Sequence, residues 1–93
     1  MTKGISLTFN RDTSINATED REWNTLFLKS NIVYMQDLLK IRGYIYFNQI
    51  CEILGIAWDP KQNNYCFLQD DDNTVEFSII FGTELTVIIN HKY

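Results

Sequence analysis

An α+β domain is the fold class this chain predicts, and three observations predict it. Apolar residues recur at helical spacing from Trp23 to Ile41 and stop at Gly43. Apolar and polar residues alternate from Ile5 to Asn10. Two further alternating runs, before and after Gly82-Thr83-Glu84, fold back on each other. Ninety-three residues suit one domain over positions 1–93, too small for a core plus a deep cleft. With 45% apolar residues, 14% aromatic and one proline, the chain is not a disordered linker.

The first element is a half-buried strand, Ile5 to Asn10, in which Ile5, Leu7 and Phe9 alternate with Ser6 and Thr8. A polar connection, residues 11–17, leads to Thr18, which reads as the cap of a long helix. Glu19, Asp20 and Glu22 place negative charge at its N-terminal end. Trp23, Leu26, Phe27, Tyr34, Leu38 and Ile41 fall on one face and are the expected buried stripe. Ser30-Asn31 could divide this helix, since both have weak helix propensity, but one unbroken helix to Ile41 is expected. Gly43 supplies a left-handed stop.

A short aromatic strand, Tyr44 to Phe47, follows, and Asn48 reads as the cap of a two-turn helix carrying Ile50, Ile53 and Leu54 and ending at Gly55. After the loop Trp58 to Asn64, three strands are expected as an antiparallel meander. In its last hairpin a three-residue loop, Gly82-Thr83-Glu84, sets Phe81 opposite Leu85, Ile79 opposite Val87 and Phe77 opposite Ile89. A two-residue loop would mix polar with apolar partners, so the longer loop is chosen. Ile80 and Ile88 then point away from the core with Glu76, Ser78, Thr86 and Asn90. For the strand Asn64 to Gln69 two registers stay open. A four-residue loop Asp70 to Asn73 turns Cys66 and Leu68 inward, and a five-residue loop turns Tyr65 and Phe67 inward. If Tyr65 and Phe67 face outward beside Ile80 and Ile88, an aromatic and aliphatic patch results, unless the N-terminal strand or the long helix covers it.

Asp37-Leu38-Leu39, Arg42-Gly43-Tyr44, Asn48 with Glu52-Ile53-Leu54-Gly55, and Asn73 through Phe77 occur in that order. This succession resembles a family of small proteins encoded by bacteriophages and prophages, over Glu19 to Ile80. Ile56-Ala57-Trp58-Asp59 stands where family members often carry an Arg or Pro-Arg. No catalytic residues are assigned in that family. What the resemblance implies is origin, a phage or mobile-element accessory gene.

Charge is uneven along the chain. Residues 1–51 carry a net +1 and residues 52–93 a net −5, within a total of −4. Direct nucleic-acid binding draws its affinity from neutralised phosphates, so this balance argues against it. No apolar run is long enough to span a bilayer and the polar start lacks a signal peptide, so a cytoplasmic protein, in a bacterial host, is expected. Cys51 and Cys66 read as packing residues in that compartment.

Asp70-Asp71-Asp72-Asn73 suggests a cation loop, but that spacing needs glycine and an acid where Val75 and Phe81 stand, so a solvated turn is expected and no metal. His91, near the end of the chain, is expected to fray. No nucleophile triad, phosphate loop or zinc spacing is present, so no catalytic residue, cofactor or enzyme activity is expected. Tyr44 and Tyr46 could stack bases, yet core packing or a protein interface fits the acidic balance better. Trp58 either anchors its loop or stands exposed as a hot spot. The expected partner surface comprises Asp70, Asp71, Asp72, Glu76, Tyr65, Phe67, Ile80, Ile88 and Trp58, docking on a protein with a basic surface. The expected function is stoichiometric protein binding, and more narrowly inhibition of a host defence factor such as a CRISPR nuclease (anti-CRISPR-like). The alternative is a self-associating assembly protein or homodimer, and a small enzyme comes third.

Overall fold

A computed structural model describes residues 1–61 and 63–93. Its elements are β1 (Thr2–Phe9), α1 (Arg21–Arg42), β2 (Tyr44–Tyr46), α2 (Phe47–Leu54), β3 (Cys66–Leu68), β4 (Thr74–Phe81) and β5 (Leu85–Lys92). The α+β class stands, with the N-terminal strand, long helix, short strand, short helix and C-terminal antiparallel strands in that order. The loop expected over Trp58 to Asn64 includes Gln62, which lies outside the described residues.

Helix α1 is one unbroken helix of 22 residues. Asn31 stays within it, its Nδ2 donating to the Phe27 carbonyl at 2.8 Å. The cap is Asp20, not Thr18: its Oδ1 accepts from the backbone N–H of Glu22 and Trp23. Thr18 has a different task. Its N–H and Oγ1 donate to Asn24 Oδ1, and Asn24 Nδ2 donates to the Thr18 carbonyl.

That lock holds Asn24 on the buried side of the helix. The buried stripe is Asn24, Leu28, Ile32, Met35 and Leu39, with Phe27 and Leu38 beside it, whereas Trp23, Leu26, Tyr34 and Ile41 are exposed. The expected stripe is therefore corrected by a rotation about the helix axis. Burying Asn24 costs little because its amide is hydrogen-bonded at both ends, and the stripe it belongs to carries four large aliphatics. Trp23 stacks on Phe27, which stacks on Phe9, so the aromatics cover the flank of the interface rather than its centre.

Both glycines end their helices in left-handed backbone, Gly43 at φ 79° and Gly55 at φ 72°. The cap of α2 is Tyr46, not Asn48. Gln49 Oε1 accepts from Tyr46 N–H, while the N–H groups of Phe47 and Asn48 are taken by the Tyr65 carbonyl and Asn64 Oδ1. Distant chain thus satisfies a helix start that sequence assigned to a local side chain.

The hairpin register is as expected, Phe81 opposite Leu85, Ile79 opposite Val87 and Phe77 opposite Ile89. The meander is corrected in its first strand. β3 does not join β4: it pairs antiparallel with β2 in a two-stranded ribbon, and β1 completes the main sheet in the order β1-β5-β4. All eight residues of β1 lie opposite β5, with Ile5, Leu7 and Phe9 facing Ile89, Val87 and Leu85. A three-residue strand offers β4 no comparable match. The core lies between the helices and this inner face, from Phe9, Leu28 and Met35 through Ile45, Ile50 and Phe67 to Val87 and Ile89. Among the described residues no helix is long and apolar enough to cross a membrane.

Candidate protein-binding surface

The ribbon β2–β3 has two unlike faces. Ile45 opposite Phe67 forms the inner one, both fully buried. Tyr44 opposite Leu68, and Tyr46 opposite Cys66, form the outer one, where Tyr44 is 38% exposed, Tyr46 40% and Leu68 47%. The tyrosine rings meet edge to face with centroids 5.9 Å apart. Arg42, the last residue of α1, lies over Tyr44 with its guanidinium carbon 4.8 Å from the ring centroid. Its Nη2 donates to the Tyr44 carbonyl and to Gln49 Oε1, both at 3.2 Å. The guanidinium is therefore held in place over the ring. Gln69 N–H donates to the Gly43 carbonyl at 2.8 Å, which holds the Asp70–Asn73 turn at the end of the ribbon.

In that turn Asp70 has a structural role. Its Oδ1 accepts from Asn73 Nδ2 and from the N–H groups of Asp72 and Asn73, and these bonds, Asn73 first, hold its carboxyl below the usual carboxylate range. Asp71 and Asp72 are exposed beside it. No group of acids, histidine and cysteines able to hold a metal occurs among the described residues.

The remaining expected partner residues are dispersed. Glu76, Ile80 and Ile88 do share the outer face of the main sheet, and neither β1 nor α1 covers it. β1 instead extends it with Gly4, Ser6 and Thr8, so hydroxyl side chains surround the two isoleucines, and Glu76 is paired with Lys92 at 3.3 Å. Tyr65 and Phe67 are corrected to the inner side: Phe67 is fully buried and Tyr65 half-buried against the core. The aromatic patch expected beside Ile80 and Ile88 does not form. Trp58 is half-buried with its indole N–H enclosed and unpaired among the described residues, so it does not stand out as an exposed anchor.

His91 does not fray. It faces inward in step with Leu85, Val87 and Ile89, is 4% exposed, and its Nδ1 shares a 2.6 Å hydrogen bond with the Tyr65 hydroxyl. The Lys3 ammonium sits 4.1 Å from the Tyr65 ring centroid. Burial, with Tyr93 and Cys66 nearby, raises the Tyr65 hydroxyl pKa. His91 Nε2 is enclosed, so no substrate atom reaches it in this conformation. Cys51 is buried and Cys66 half-buried, both as free thiols, and burial followed by the neighbouring Glu52 raises the Cys51 thiol to about 11.

One cleft of about 460 Å³ opens between the start of α1 and the β4–β5 turn. Its polar groups are largely used on one another: Arg11 with Glu19 at 2.6 Å, Arg21 with the Thr83 carbonyl, and Asn10 with Glu84. Sequence reasoning left Arg42, Tyr44, Tyr46 and Leu68 out of the partner surface. The signal was present in the alternation Tyr44-Ile45-Tyr46, but it points outward only once β3 is known to pair with β2. Comparison of the chain with protein-family models, curated proteins and solved structures found no match.

Proposed function

We propose that the protein acts by stoichiometric protein binding, through the outer face of the β2–β3 ribbon. The observation that carries this reading is a pair of exposed tyrosines beside Leu68, with an arginine already fixed over one ring. Tyr and Arg are the residues that most often dominate binding energy, and a pre-set guanidinium loses little entropy on docking. Exposed Asp71 and Asp72 at the border add a negative rim, suited to a partner with a basic surface.

The narrower reading is an inhibitor of a host defence factor, such as a CRISPR nuclease, acting in the bacterial cytoplasm. It rests on the resemblance to phage-encoded proteins and on the acidic C-terminal half. Affinity purification of tagged protein from a bacterial lysate, read by mass spectrometry at low and high salt, tests both levels. A single dominant partner, lost with Tyr44→Ala/Tyr46→Ala and weakened by Asp71→Asn/Asp72→Asn mainly at low salt, is the expected result. A partner retained equally by the tyrosine variant would overturn the assignment of the surface, and a partner unconnected with defence would remove the narrower reading.

A further inference from the structure

The two edges of the main sheet differ in how they guard against pairing. At the β1 edge, Lys3 sits on the inner side of the strand against Tyr65, Gly4 follows it, and Ser6 and Thr8 occupy the outer face. Inward charge of this kind is a recognised way to discourage edge pairing. The β4 edge has no such device. Its eight residues, TVEFSIIF, pair with β5 in an unbroken register without bulge or proline, and the one charge, Glu76, is neutralised by Lys92. Phe77 and Ile79 are only half-buried, and Ile80 and Phe81 are exposed. Besides β5 and the core beneath its inner face, β4 meets β3, which the Asp70–Asn73 turn brings to its start.

We propose that β4 is the contact edge of a homodimer, in which two copies pair this strand antiparallel and extend the sheet from three strands to six. The occupant is argued from self-complementarity. A register about Ser78 sets Phe77 opposite Ile79 and Val75 opposite Phe81 on the helix side. On the open side it sets Glu76 opposite Ile80, so no carboxylate meets its own copy. The ends complement in charge. Antiparallel pairing carries the Asp70–Asn73 turn of each copy to the Gly82–Glu84 turn of the other. There Arg21 donates to the Thr83 carbonyl at 3.3 Å and has no carboxylate partner among the described residues. Asp71 and Asp72 are exposed and likewise unpaired among those residues, while Glu84 at the same turn is engaged by Asn10 at 2.8 Å. Each copy thus offers the other an acidic turn and an arginine, twice over by symmetry. This contact shares Asp71 and Asp72 with the rim of the tyrosine surface but uses neither tyrosine.

Sedimentation of the full chain over a wide concentration series tests it. A monomer–dimer equilibrium is expected. Ser78→Lys, which sets like charges across the two-fold axis at an exposed position, weakens dimerisation about tenfold or more, with thermal unfolding of the monomer retained. Arg21→Glu weakens it too, and adding Asp71→Arg/Asp72→Arg to that variant restores it. A monomer at every concentration overturns the proposal. So does a dimer indifferent to both single variants, or one lost with Tyr44→Ala/Tyr46→Ala instead.

Discussion

The two faces of the β2–β3 ribbon hold chemically similar residues in opposite circumstances. Phe67 and Ile45 on the inner face are sealed from water, while Tyr44, Tyr46 and Leu68 on the outer face are a third to a half exposed. Strand propensity cannot tell them apart, since aromatic and aliphatic side chains favour strands on either side. The difference arises because a ribbon of this length has one face pressed to the core and one left over. The inner face carries stability, and the outer face is free to serve recognition.

Four variants put that contrast to the test. Phe67→Ala should have the largest effect, about 3–5 kcal/mol of stability measured by denaturant unfolding, because it opens a cavity in a fully buried site. A loss below about 1 kcal/mol would mean that the ribbon is not held on the core. Tyr65→Phe keeps the ring but leaves His91 Nδ1 without its 2.6 Å partner at a part-buried site, at a cost of about 1 kcal/mol or more.

Gly43→Ala is expected to cost about 1 kcal/mol, because an L side chain is strained at φ 79°. Its Cβ would also press on the Gln69 carbonyl at 3.3 Å, beside the bond that ties the ribbon's two strands at this end. Tyr44→Ala/Tyr46→Ala should change stability least, by less than about 1 kcal/mol for each position, while removing partner binding. Equal destabilisation by the inner and outer substitutions would erase the functional distinction between the faces.

Several elements were readable in the chain for local reasons. Gly43 and Gly55 stop their helices because only glycine enters left-handed backbone freely. The β4–β5 register followed from the alternation on both strands and the three residues between them. What was misread involved competition between distant partners. Trp23, Leu26, Tyr34 and Ile41 form as good a helical stripe as Leu28, Ile32, Met35 and Leu39, and the Thr18–Asn24 bonds belong to the buried choice. β3 was assigned to β4 because the two are adjacent in sequence, whereas Ile45 and Phe67 pair across an intervening helix and loop.

Periodicity and backbone sterics act within a few residues, so the kinds of element, their glycine-limited ends and the final hairpin are written locally in the chain. Long-range packing selects which side of α1 is buried and which strand β3 joins, and it encloses His91 while leaving Tyr44 and Tyr46 exposed. Those outcomes depend on which surfaces meet across the chain, and burial against a shared core selects among patterns that are locally equivalent.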